Sequence, residues 1–324
     1  MRVLVTGATG LIGFATVKEL LAAGHEVTGL ARTEASGKKL TEAGAQVALG
    51  SVDDLDSLRR AAASVDGAIH TAFYHKISHA PLGTLLRVFL GGAPGGIFMR
   101  FMKAAAAADR RAIETIAALL PGKGSPLVAT FGTLGMKPGR LATEDDEYDH
   151  DFTSFGLGRA RTEDTLKELV ASRGIRTSAI RLPPIVHGPD AYGLAMLLIP
   201  AARKKKESAY VGDGLNRWPS VHYLDAARLF RLALENGPAG GTYHGVAEEG
   251  IPFRDIAGVI GRRLNVPVVS KPASEAAKQF GFIARPVQID NPTSSKLTRE
   301  RLGWTSTNMG LITDLEQTDF FSKV

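Results

Sequence analysis

The chain has 324 residues, 44% hydrophobic and 22% charged, which suits a protein with a real core and room for one large or two modest domains. It carries no cysteine, which excludes a disulfide framework, a thiol nucleophile and a cysteine metal site. The formal charge is +6, yet the only dense basic run, Arg203-Lys204-Lys205-Lys206, reads as a solvated helix end rather than a nucleic-acid patch, and no apolar run reaches the ~18 residues of a membrane span.

The chain opens on a strand, Val3-Leu4-Val5, rather than on a secretory leader, and a cytoplasmic protein is expected. Thr6-Gly7-Ala8-Thr9-Gly10-Leu11-Ile12-Gly13 follows, and Leu11, Ile12, Val17, Leu20 and Leu21 then recur at helical spacing. Strand, glycine turn and helix together predict a dinucleotide site. Gly7 turns the chain sharply, Gly10 lets backbone approach a pyrophosphate, and Gly13 lets the helix pack against the strand. The N–H groups around Thr9, Leu11 and Ile12 then meet the pyrophosphate at the positive end of the helix dipole.

Glu26 to Ala31 reads as the second strand. The residue beyond it selects the cofactor, because an acid there binds the ribose 2′-hydroxyl of NAD. Here Arg32-Thr33 stands in that place, and a guanidinium pairs with a 2′-phosphate, so NADP is expected. Gln46 to Leu49 is the third strand, with Val52 and Asp53 beyond it as adenine neighbours; Asp53, Asp54 and Ser51 compete for the role of helix cap. Gly67 to Ala72 is the fourth strand, whose end places Thr71, Ala72 and Phe73 toward the cofactor. Strands at Pro126–Thr130 and Ile175–Leu182, with helices around Leu55–Ala63, Lys103–Leu119 and Arg159–Ser172, complete a βαβ alternation. That alternation predicts an α/β fold with a doubly wound parallel sheet.

Residues 81–102 break the rhythm with an apolar, glycine-rich insertion. It is expected to be a mobile flap over the site, with an oligomer contact, as in a homodimer, and an ordinary packed insertion as the alternatives. The division expected is a cofactor domain over 1–182 and a smaller, mainly substrate-binding lobe over 183–324, some of whose segments return to the main sheet.

Several stretches beyond the glycines carry a resemblance. Arg181-Leu182-Pro183-Pro184-Ile185-Val186-His187-Gly188-Pro189 is similar to an R-P-x-x-V-Y-G-P stretch, Gly212-Asp213-Gly214 through Val221-His222-Tyr223-Leu224-Asp225 to G-D-G and V-H-V-x-D elements, and Leu302-Gly303-Trp304 to a closing L-G-W. With Thr6–Gly13, these resemble the extended short-chain dehydrogenase/reductases, also called the NAD-dependent epimerase/dehydratase family. The resemblance implies a Rossmann sheet with a smaller C-terminal substrate lobe, and puts Pro183 among the cofactor neighbours. It also implies a Ser or Thr after the fifth strand and Y-x-x-x-K on the next helix.

This chain departs there. Phe131 falls where the serine would be, leaving Thr130 and Thr133 as the nearest hydroxyls, and Phe155-Gly156-Leu157-Gly158-Arg159 replaces Y-x-x-x-K. Phenylalanine transfers no proton and arginine stays protonated, so Arg159 is expected on ribose or phosphate. The proton donor is then sought among Tyr74, His75, Tyr148, His150 and His187. His75 and His79 have a metal-like spacing without a third ligand, and no metal is expected. The function expected is an NADP-dependent reductase of a carbonyl or similar group on a small, fairly apolar substrate. A nucleotide-sugar epimerase or dehydratase and a non-catalytic NADP-binding sensor are the alternatives.

Overall fold

The computed structural model of the protein describes residues 1–74, 82–92, 96–149, 157–189 and 191–323. They fall into two compact units. One comprises Met1–Phe131, Tyr148–Ile180 and Ala227–Thr242; the other comprises Gly132–Glu147, Arg181–Ala226 and Tyr243–Val324.

The chain begins with β1 (Arg2–Thr6), α1 (Leu11–Ala22), β2 (Glu26–Ala31), α2 (Glu34–Glu42), β3 (Gln46–Leu49), α3 (Leu55–Ala62) and β4 (Gly67–His70). It continues through α4 (Leu82–Leu90), α5 (Ile97–Leu119), β5 (Pro126–Gly132), α6 (Leu157–Arg173) and β6 (Arg176–Leu182). Then come β7 (Ile185–Gly188), β8 (Ala191–Tyr192), α7 (Ala195–Lys205), β9 (Ser208–Val211), β10 (Arg217–His222), α8 (Tyr223–Asn236) and β11 (Gly241–His244). The last are β12 (Glu248–Pro252), α9 (Phe253–Leu264), β13 (Val268–Lys271), α10 (Ala276–Phe280), α11 (Lys296–Leu302), α12 (Leu311–Gln317) and α13 (Phe320–Lys323).

The main sheet runs β11-β6-β5-β4-β1-β2-β3, and β3/β2, β2/β1, β1/β4 and β4/β5 pair in parallel. Val3, Leu4 and Val5 have no exposed surface, as a central parallel strand covered on both faces requires. The order reverses between β1 and β4, so their carboxyl ends open the crevice where α/β sheets take ligands. On one face, Leu58, Ala61, Ala62, Ile113, Ile116 and Leu166 pack into a continuous core with β1, β4 and β5.

Leu82–Leu90 and the segment from Ile97 onward are helical within the stretch where a glycine-hinged connection was expected. Val88 of α4 is buried in a cluster with Tyr74 and with Phe101, Ala105 and Ala108 of α5, which begins at Ile97 rather than near Lys103. Arg100 closes the turn between the helices, donating from Nε to the Val88 carbonyl at 2.7 Å and from Nη2 to the Gly92 carbonyl at 3.3 Å. The outward face of α4 leaves Leu86, Phe89 and Leu90 exposed. Pro81 and residues 93–95 of the expected flap lie outside the described residues.

In the second unit a mixed sheet, β12-β10-β7-β8, joins a parallel β13-β9 pair, and Trp218, Phe253, Ile256, Phe280 and Leu311 form the core. Trp304 donates from Nε1 to the Asp225 carbonyl at 2.9 Å, and the Asp225 carboxylate receives the backbone N–H groups of Thr307 and Asn308. Two of the stretches that carried the family resemblance are therefore bonded to each other. Arg203, Lys204 and Lys205 occupy the last turn of α7, where cations complement the helix dipole. Among the described residues no helix is long and apolar enough to cross a membrane, and no group of His, Cys, Asp and Glu is arranged to hold a metal ion. His75 and His79 lie outside the described residues.

Candidate functional site

The glycine turn joins the end of β1 to α1. Gly7 has φ +69°, and a Cβ there would lie 2.7 Å from the Ala72 nitrogen and 2.7 Å from the Thr71 hydroxyl. A Cβ on Gly13 would lie 2.1 Å from the Gly7 carbonyl oxygen, inside any contact a side chain tolerates. Thr71 fixes this packing by donating its hydroxyl to the Thr6 carbonyl at 2.8 Å. Gly10 caps α1 with no side-chain hydrogen bond, and the first turn carries no acidic residue. The leading N–H groups of α1 are thus left to an anion at the positive helix end. These features fit a pyrophosphate: backbone donors, no competing carboxylate and close approach without a Cβ.

Arg32 follows β2 directly, exposed and without a partner among the described residues. Thr33 beside it is spent on a capping box with Ser36 at the start of α2. Sequence reading missed Lys39, whose Nζ lies 2.6 Å from the Thr9 carbonyl and 4.8 Å from the Phe14 ring centroid. No spacing signals it, because only the packing of α2 brings this lysine over the glycine turn. Of the acids after β3, Asp54 is the cap, accepting from Ser57 N at 3.1 Å. Asp53 remains half-buried and unbonded; burial holds its carboxyl above the usual range, partly offset by Arg111. Val52 is half-buried against the adjoining cores.

Arg159 of α6 lies at the ends of β4 and β5. Its guanidinium sits 4.2 Å from the Phe73 ring centroid and 5.2 Å from that of Phe131. Its Nη2 donates to the Thr130 carbonyl and lies 3.5 Å from Oδ2 of Asp109. Asp109 in turn accepts from His70 Nε2 at 3.0 Å, and His70 Nδ1 meets the Thr6 hydroxyl at 2.8 Å. His70 and Asp109 did not stand out as site residues in the sequence, since each reads as an ordinary strand or helix position.

A sequence profile described as NAD(P)H-binding matches residues 7–120. The chain is 44% identical over 322 residues to an uncharacterized protein, C2A9.02, of Schizosaccharomyces pombe, covering 99% of this chain and all of that one. It is 38% identical to an uncharacterized protein, YLL056C, of Saccharomyces cerevisiae over 97% of this chain and 98% of that one. It is also 26% identical, over 75% of this chain and 67% of the other, to a 4-hydroxy-2-methyl-3-oxo-4-farnesyl-3,4-dihydroquinoline-1-oxide ketoreductase of Stigmatella aurantiaca. Among solved structures the fold matches gox2253 with a TM-score of 0.75 at 21% identity, covering 99% of this chain and 98% of that one. It matches the dTDP-glucose 4,6-dehydratase DesIV of Streptomyces venezuelae, solved with NAD and TYD bound, with a TM-score of 0.72 at 18% identity over 100% and 97% of the two chains. The chain belongs to one family with these two uncharacterized yeast proteins, carries an NAD(P)H-binding segment over residues 7–120, and shares the fold of the extended short-chain dehydrogenase/reductases that its motifs resemble.

Against that family's pattern the two replacements are physically linked. Phe131, in the serine place, and Phe73 flank the guanidinium of Arg159, in the lysine place, so aromatic faces and cation complement one another. Thr130 keeps a half-buried hydroxyl that donates to the His70 carbonyl at 3.1 Å. Thr133 does not supply an open hydroxyl. It is fully buried and donates to Asn291 Oδ1 at 2.7 Å, while Asn291 Nδ2 returns a bond to the Thr133 carbonyl at 2.9 Å. Tyr148 is also displaced from the expected role, because its ring is buried in the main core with Phe131 and Ala160. Tyr74 is buried with its hydroxyl unpartnered among the described residues. His187 lies in the second unit, without exposed surface, and bonds Asp314 through Nδ1 at 2.6 Å. Pro183 is buried beyond β6. His75, His150 and Phe155 lie outside the described residues.

Proposed function

We propose that the protein is an NADP-dependent oxidoreductase that reduces a carbonyl, or a similar group, of a small and fairly apolar substrate. The observation that carries the cofactor choice is Arg32, exposed at the end of β2 with no acidic partner among the described residues. A guanidinium there pairs with a 2′-phosphate through two parallel bonds, whereas the acid that would hold a 2′-hydroxyl is missing. The reaction class is supported by the ketoreductase relative. An apolar substrate is supported by Leu86, Phe89 and Leu90, which α4 leaves facing solvent.

The nicotinamide, when bound, supplies the hydride. The protein's part is positional. Gly7, Gly10 and Gly13 admit the pyrophosphate, Asp53 is placed to accept from the adenine amino group, and Arg159 presents a guanidinium with hydrogen-bond donors. Arg32→Ala is expected to raise the NADPH dissociation constant roughly ten- to hundred-fold, the loss of one charge-assisted contact of about 1.5–3 kcal/mol, with little change for NADH. Calorimetric titration of both nucleotides checks it. Equal affinities in the parent would remove the NADP assignment.

The non-catalytic reading is favoured by one observation: Thr133 and Tyr148 are both committed to the interior. Oxidation of NADPH with a panel of aldehydes and ketones separates the two. Turnover above the substrate-free rate is expected, and tight nucleotide binding with no turnover on any carbonyl would favour a sensor.

A further inference from the structure

We propose that Asp109 is the positioning residue for Arg159, and that the buried chain Thr6–His70–Asp109–Arg159 couples the glycine turn to the cation at the ends of β4 and β5. The inference rests on the reading of the protein as an NADP binder.

The side chains of His70 and Asp109 are each only 1% exposed, and that of Arg159 is 15% exposed. A carboxylate buried this deeply needs partners. Among the described residues Asp109 has one firm partner, the His70 Nε2–H at 3.0 Å. That bond places the imidazole proton on Nε2 and leaves Nδ1 to accept the Thr6 hydroxyl at 2.8 Å. Thr6 immediately precedes Gly7, so the chain ends at the turn that receives the pyrophosphate.

The other oxygen of Asp109 is different. Oδ2 lies 3.5 Å from Arg159 Nη2, is buried, and makes no aligned hydrogen bond among the described residues. Arg159 Nε is likewise buried without an acceptor among the described residues. A structural Arg–Asp pair would close both gaps with a two-bond fork. Here the carboxylate instead holds the guanidinium by charge, Phe73 and Phe131 flank it, and the Thr130 carbonyl takes one N–H. Arg159 is thereby fixed in place with donor capacity unspent, as a group that meets a ligand's hydroxyl or phosphate oxygens requires. The family's lysine place is thus filled by a cation that depends on a carboxylate from α5.

Two probes separate positioning from charge: NADPH, which spans the whole crevice, and adenosine 2′,5′-bisphosphate, which carries only the adenosine half. Asp109→Asn removes the charge; Asp109→Glu keeps it, with a smaller demand on folding, and moves it by one methylene. Dissociation constants come from calorimetry, and thermal melts without nucleotide confirm that each variant is folded. Both variants are expected to weaken NADPH binding about tenfold and to leave the bisphosphate within twofold. Arg159→Ala is expected to do the same, and adding Asp109→Glu to it should cost nothing more, because coupled residues do not add. Additive losses, equal losses for both probes, or tighter NADPH binding by Asp109→Asn with Asp109→Glu unchanged would overturn the positioning role. A parent protein that binds neither probe would overturn the functional reading itself, and this inference with it.

Discussion

Gly13→Ala is expected to lower NADPH affinity roughly ten- to hundred-fold and to destabilise the protein by about 1–3 kcal/mol. The new methyl would stand 2.1 Å from the Gly7 carbonyl oxygen, 2.7 Å from the Gly7 carbonyl carbon and 2.9 Å from the Thr71 hydroxyl. Two of those atoms are backbone, so no rotamer relieves the overlap and α1 must move away from β1. The movement displaces the N–H donors at the helix start, and one lost charge-assisted bond accounts for about 1.5–3 kcal/mol. Alanine's better helix propensity, worth about 1 kcal/mol, offsets only part of the overlap. Gly24→Ala is the control. It also sits at positive φ, +80°, but nothing lies within 4 Å of its Cβ. It should cost about 1–2 kcal/mol of stability from the left-handed backbone and leave nucleotide affinity unchanged. Urea denaturation and calorimetric titration of both variants decide the matter; equal affinities for the two would mean the Gly13 contact is not what shapes the anion site.

Acid is expected to weaken the fold well above the range where carboxylates titrate. Burial, reinforced by Arg181, pushes the His244 pKa down to about 3. Arg181 Nη1 faces His244 Nε2 at 3.3 Å, and since a guanidinium only donates, Nε2 accepts and Nδ1–H donates to the Ser294 carbonyl at 2.8 Å. There is no place for a second proton. Below the unfolded value of about 6.5 the unfolded chain binds a proton that the folded protein refuses, so stability falls as pH falls. The effect is absent above that value and reaches about 2 kcal/mol by pH 5. His222, lowered by burial and by His187, acts in the same direction. Asp146, Asp290 and Asp314 are held low, so their contribution is complete above the ordinary carboxylate range and is lost only at lower pH, as each titrates through its folded value. Urea midpoints at pH 7, 6 and 5 should therefore drop steadily. His244→Gln, which can both accept and donate, should flatten the drop; a parent curve level from pH 7 to 5 would contradict this account.

The glycine turn between β1 and α1 was legible because backbone geometry writes itself into glycine spacing. Gly7 and Gly13 are where a turn and a close helix–strand contact forbid a side chain, and no other residue type serves there. The place of Arg32 at the end of β2 was legible for a similar reason, since the end of the second strand has a fixed place in a βαβ unit. The catalytic side was less legible. Thr133 and Tyr148 have suitable chemistry in suitable places, yet one hydroxyl is spent on Asn291, 158 residues away, and the other ring is core. Composition between Pro81 and Met102 suggested a glycine-hinged flap; what composition did not indicate is that α4 and α5 share a buried cluster of Val88, Phe101, Ala105 and Ala108.

From sequence alone came the βαβ alternation of the parallel sheet, the glycine turn and the family resemblance. These depend on local periodicity and on residues whose backbone demands are met within a few positions. Tertiary structure alone decided which polar side chains meet. His70 and Asp109, 39 residues apart, come together only because β4 and α5 pack, and Lys39 reaches the Thr9 carbonyl only because α2 folds back over the turn. Periodicity records which face of an element is buried. It does not record which carboxylate, imidazole or guanidinium on another element waits there, because that choice is made by the crossing of elements distant in the chain.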